Sequence, residues 1–133
     1  MIEWKQLTKN ISKKDMEDFG EFRETHHDNG ILAGIVVSKN SGKAYSIQVH
    51  MDTNKITRDS KVKVFCNCDN FKFQWAYVLH KYDSLIAPQN FILLPPKIKN
   101  PTLEIGCCKH IKVFLELAFQ NQLKKLNMIK GYV

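Results

Sequence analysis

Arginine is scarce in this chain. Of its 20 lysine and arginine residues only Arg23 and Arg58 carry a guanidinium. Arginine makes the commonest specific base contact, bidentate to guanine, so its scarcity argues against sequence-specific reading of DNA. Lysine contacts to phosphates stay open. Long apolar runs are also missing. No stretch reaches the roughly 18 residues of a membrane span, so no membrane partner is expected. The opening Met1-Ile2-Glu3-Trp4-Lys5 has no apolar signal core, which points to a reducing compartment rather than secretion. Catalytic signatures are absent too. There is no H-E-x-x-H, no deaminase-type H-x-E with P-C-x-x-C and no glycine-rich phosphate loop, and no nucleophile turn accompanies Asp83-Ser84 and His80. Neither an enzyme nor a small-molecule substrate is expected.

What remains is a chain of 133 residues, 44% of them hydrophobic, enough for one domain with a modest core. The formal net charge is +7. Its excess sits late: between positions 85 and 133, seven lysines face only Glu104 and Glu116. Such a basic end suits nucleic acid or an acidic protein surface.

Residues 1–30 read as an N-terminal helical segment. Ser12 is the expected N-cap, with Ile11 and Met16 at the staple positions and Asp15 and Glu17 in the first turn. The helix is expected to run to about Arg23, with Met16, Phe19 and Phe22 on its apolar side. Residues 26–30 then form a polar turn, in which His26-His27-Asp28 read as solvated side chains rather than a second metal site. Strands follow over 31–38, 44–51 and 61–66, with a hairpin turn at 39–43. In the second strand Tyr45, Ile47, Val49 and Met51 share a face; in the third, Val62, Val64 and Cys66 do. A helix is predicted over 70–81, where Phe71, Trp75, Val78, Leu79 and Tyr82 form an apolar stripe. A long proline-containing connection crosses 83–106, with Pro88, Pro95, Pro96 and Pro101. The last helix runs from near Cys108 or Lys109 to about Asn127. Ile111, Phe114, Leu115, Ala118 and Phe119 form its inner face, while Val113 and Leu117 lie on other sides and call for cover by the long loop or by another molecule.

All four cysteines fall into two groups, Cys66-Asn67-Cys68 and Cys107-Cys108-Lys109-His110. Thiolates and an imidazole are the donors zinc takes in closed tetrahedral sites. Two disulfides are the competing reading for four cysteines, disfavoured by the missing signal core and by His110. Period-two geometry turns Cys66 inward with the valines, and Cys68 shares that face if the chain stays extended. On a regular helix Cys108 and His110 diverge by roughly 200°. They can meet one ion if Cys108 lies at the non-helical start. Cys107 with His110, spaced i, i+3, is the alternative; Cys108 is preferred.

Val64-Phe65-Cys66-Asn67-Cys68-Asp69-Asn70-Phe71, followed by Gly106-Cys107-Cys108-Lys109-His110-Ile111, resembles the SWIM zinc finger: a strand ending in Cys-x-Cys, then Cys-x-His opening an apolar helix. The resemblance covers residues 31–126 with a long insert at 69–107, leaving a tail at 127–133. It implies one structural zinc held by Cys66, Cys68, Cys108 and His110. The expected fold is α+β, a small antiparallel β-meander of about three strands packed with two or three helices around that zinc.

Thirty-nine residues separate Cys68 from Cys108, more than the usual spacing. With Pro95-Pro96-Lys97, Asn100-Pro101 and Gly106-Cys107-Cys108-Lys109-His110, this long-insert form is similar to small proteins of tailed bacteriophages. That similarity implies a non-enzymatic, zinc-stabilised virion component, an adaptor or cementing subunit in head, neck or tail. It would reside in the virion or host cytoplasm, with other subunits of a large assembly as partners. The expected contacts are Trp4, the apolar run Phe91, Ile92, Leu93 and Leu94, and Val113 and Leu117 of the last helix. The alternative is a nucleic-acid-binding accessory protein that tracks phosphates with Lys97, Lys99, Lys109, Lys112, Lys124 and Lys125.

Overall fold

Alternating apolar residues build most of this molecule, and they build more strands than three. The computed structural model describes residues 1–131 apart from 10, 89, 90, 92, 94, 96–99, 101 and 102, with the side chains of 127–131 also outside the description. In chain order the elements are β1 (Ile2–Glu3), α1 (Trp4–Leu7), α2 (Lys13–Glu17), β2 (Phe19–Asp28), β3 (Ile31–Ser38), β4 (Ala44–Met51) and β5 (Lys61–Cys66). A π-helical turn (Phe71–Trp75) then runs into α3 (Ala76–Lys81), and α4 (Lys109–Gly131) closes the fold. The class is α+β as expected. The sheet has five strands in the order β1-β5-β4-β3-β2, all neighbours antiparallel.

The two additional strands have different origins. Helix α2 starts where expected, with the Ser12 hydroxyl accepting from the Asp15 amide at 3.0 Å, but it ends at Glu17. Residues expected as helix end and polar turn are instead β2, paired along β3 from Phe19↔Ser38 to Asp28↔Ile31. Gly20 weakens the helix, and the Phe22 ring gains more from packing on Phe114 (5.3 Å between centroids) than a solvent-facing helix stripe offers. The turn shrinks to Asn29 (φ 52°) and Gly30 (φ 77°), the two positive φ values of a type I′ hairpin. Strand β1 is only two residues long, too short for any periodicity to reveal it.

Alternation then sorts the faces. Leu32 and Val36 of β3, Ile47 and Val49 of β4, and Val62, Val64 and Cys66 of β5 are all buried. Ile111, Phe114, Leu115 and Ala118 of α4 join them in one hydrophobic cluster, which also takes in Trp4 and Leu7 of α1 and Phe71 and Leu79. Helix α4 contacts β2, β3, β4 and β5. Gly34 permits this approach: a Cβ there would collide with the Phe114 ring and with the Arg23 carbonyl oxygen. Val113 is buried as well, 2% exposed. It lines a small cavity with Asp15, Asp18 and Phe19, so the segment around α2 covers this second side of α4. No helix among the described residues is long and apolar enough to cross a membrane.

Candidate metal centre

Cys66 is the last residue of β5, and the strand's alternation carries its sulfur into the core beside Val64. Asn67 keeps the chain on β4 for one more step: its amide donates to the Ser46 carbonyl (3.4 Å) and its side-chain oxygen accepts from the Ser46 amide (3.0 Å). Cys68 therefore emerges at a fixed place. Its sulfur accepts from the Phe71 amide at 3.3 Å and its carbonyl from the Lys72 amide at 3.3 Å, so it caps the π-helical turn. Turns of this kind occur often at functional sites.

The second pair of donors comes from the start of α4. Cys108 precedes the helix, and its carbonyl accepts from the Lys112 amide at 3.2 Å. His110 is the helix's second residue. The segment leading in is anchored on the π-helical turn. The Asn100 side chain donates to the carbonyls of Gln74 (3.4 Å) and Glu104 (3.0 Å) and accepts from the Glu104 amide (3.0 Å). Gly106 lies against the Trp75 ring, where a Cβ would come within 2.8 Å of it.

These local devices bring Cys66, Cys68, Cys108 and His110 together, their ligand atoms all within 4.8 Å of one another and all four residues buried. All four cysteines are free. Cys107 is not in the cluster. Its thiol is buried and donates to the Leu7 carbonyl at 3.7 Å. The group can hold one metal ion, and its chemistry fits one. Contact with the Cys108 sulfur lowers the Cys66 pKa, but contact with Cys68 and burial outweigh it and push Cys66 up to about 12. Cys68 moves the other way, far below the usual thiol range, because Cys108 and Cys66 hydrogen-bond to it. Cys108 is raised well above its ordinary value, by burial first and then by both neighbouring sulfurs. Three sulfurs this close cannot all carry charge unaided, whereas a coordinated divalent cation deprotonates each one outright. The Nδ1 atom of His110 is buried with no hydrogen-bond partner, a cost that coordination through this atom would remove. Cys107 also rises to about 12, from burial, and is suited to a core thiol.

Tyr45 is the site residue that sequence reasoning left as core. Its ring stacks on His110 with centroids 4.0 Å apart and planes at 24°, fixing the imidazole. The alternation of β4 placed Tyr45 on the inner face, but only the folded register sets it opposite the first turn of α4.

The expected contact residues scatter. Trp4 is fully buried, so it is a core residue and not an exposed contact. Val113 is likewise buried, and Leu117 is half-buried. Phe91 and Leu93 pack against the core, Phe91 edge-on to Phe65 at 6.0 Å, while Ile92 and Leu94 lie outside the described residues. Among the lysines, Lys109, Lys124 and Lys125 are exposed, Lys112 is half-buried, and Lys97 and Lys99 lie outside the described residues. Lys109 and Lys124 sit about 22 Å apart along α4 at 1.5 Å per residue. His80 is exposed on α3, and His27 Nδ1 lies 3.3 Å from Glu24. No protein-family model matches this chain, and no curated protein or solved structure matches it.

Proposed function

We propose that Cys66, Cys68, Cys108 and His110 hold one structural zinc ion in the manner of a SWIM finger, and that the chain is a non-enzymatic interaction module. One observation carries this reading: four soft donors, from two places far apart in sequence, are enclosed together in the core. Four protein ligands close a tetrahedral ion and leave no position for a substrate or an activated water. The ion would then act as a staple between the end of β5 and the start of α4, its binding free energy becoming folding free energy.

The place of such a module follows from the long-insert resemblance: an adaptor or cementing subunit of a tailed-phage particle, bound to other subunits. Purified particles, nuclease-treated and washed in high salt, should retain the chain at fixed stoichiometry to capsid or tail proteins, with one zinc per chain by elemental mass spectrometry. Release by nuclease or by salt would instead make the exposed lysines of α4 a phosphate-binding surface and nucleic acid the partner. A chain purified natively with no metal would remove the staple.

A further inference from the structure

The long helix and the free edge of the sheet meet in a groove that the metal centre does not use. Its opening, of about 480 Å³, lies between β2 and α4. Leu117, Asn121, Lys124 and Lys125 line one wall, spaced i, i+4, i+7 and i+8, a single stripe of the helix. Phe22, Arg23 and Glu24 of β2 line the other. Two residue sets that the sequence offered to different partners, the half-buried Leu117 and the exposed lysine pair, are thus walls of one groove.

We infer that this groove docks an acidic, extended peptide segment of a partner protein, laid along β2 as an added strand. This deepens the reading of the chain as an interaction module and rests on it.

Three features select that occupant. First, among the described residues β2 pairs only with β3, so its other edge offers unpaired backbone donors and acceptors. Irregularities interrupt the pairing between Phe19 and Glu21 and between Glu24 and His26, which leaves 21–24 and 26–28 as separate regular runs, the first of them bordering the groove. Bulges blunt an edge strand, so an added strand is limited to one such run, and the run at 21–24 is the one with the groove beside it. Second, the charge is one-sided. Lys124 and Lys125 face one carboxylate, Glu24, and that one is already engaged by the Asn121 amide at 2.9 Å and by His27. The Asn121 bond also ties α4 to β2 and makes the groove a fixed shape. Third, half-buried Phe22 and Leu117 provide an apolar floor for alternate side chains of an added strand.

Nucleic acid fits less well. Arg23 is paired with Glu21 at 2.7 Å, and Phe22, the one aromatic side chain among the groove's lining residues, is half-buried against Phe114, so no run of stacking platforms is offered to successive bases.

The test uses the full-length, metal-loaded chain and amide NMR. A decapeptide alternating Glu and Val is titrated, with a decathymidylate strand as the nucleic-acid probe. The peptide should shift amides of residues 21–24 together with those of 117–125. The exposed pair Lys124→Glu/Lys125→Glu should weaken its binding at least tenfold without altering the rest of the spectrum. Any of three outcomes overturns the proposal: no shifts at millimolar peptide, shifts on α4 without β2, or tighter binding of the decathymidylate strand. Each is read on a protein whose fold and metal are intact, so failure here leaves the metal staple standing. A metal-free folded chain would be visible before any titration.

Discussion

Adjacent cysteines with opposite roles make the sharpest contrast in the molecule. Cys108 stands before the first turn of α4 and faces Cys66 and Cys68, while Cys107, one residue earlier, turns to the Leu7 carbonyl. Substituting them should therefore give different results. Cys107→Ala removes a buried thiol and one weak hydrogen bond, costing about 1–2 kcal/mol, and should keep one metal per chain. Cys108→Ala removes a sulfur donor and leaves two crowded sulfurs and a buried imidazole without a shared partner. It should lose the metal and destabilise the chain by at least about 3 kcal/mol. Urea midpoints together with metal content per chain separate the two. Equal losses of metal from both variants would mean that either neighbour can serve. The donor set itself was legible in the sequence because Cys-x-Cys and Cys-x-His are short local patterns. Between the neighbours the sequence pattern carried only a preference, for Cys108, because a one-residue shift at a helix start is set by how the preceding segment packs, here with Gly106 against Trp75.

At the scale of elements, β3, β4 and β5 follow their alternation almost residue for residue, and α4 buries the inner face its spacing predicts. The misread element is β2. Phe19 and Phe22, three apart, fit a helical stripe and break strict strand alternation; the register shift between Phe19 and Glu21 lets both pack on the core from a strand. Pairing with β3 and the contact with Phe114 decide for the strand, and both are long-range. The Asn29-Gly30 pair carried the signal that was passed over, since these two residues together favour the hairpin that turns β2 into β3. Gly30→Ala tests this element directly. An alanine at φ 77° is strained, and its Cβ would sit 2.8 Å from the Met51 carbonyl oxygen. The expected loss is about 1–3 kcal/mol, from the left-handed backbone and the crowding together. Hydrogen exchange should show the added opening in β2 and β3 first, with β5 and α4 still protected. A neutral substitution would mean that this turn is not held in the type I′ form.

Across the whole molecule, the four donors join the end of β5, the π-helical turn and α4, so the centre ties sheet to helix near the middle of the hydrophobic cluster. Removing the proposed ion should therefore loosen the fold as a unit rather than melt a surface loop. The pH dependence follows from proton counting. Bound sulfurs are thiolates, while the same cysteines in the unfolded chain, with ordinary values near 8.5, hold protons at neutral pH. The unfolded state then binds more protons than the metal-loaded native state, so stability rises with pH and is lost as pH falls. Each sulfur adds about 1.4 kcal/mol per pH unit below its unfolded value. Three sulfurs acting together make the fall steep. Acidifying the metal-loaded chain from pH 7.5 should release the ion and the circular-dichroism signal of α4 in a single transition. A strong chelator at pH 7.5 should reproduce that transition, and added zinc should reverse it. If the metal leaves while helix and sheet signals stay in place, the hydrophobic cluster holds the fold on its own and the ion is an accessory to it.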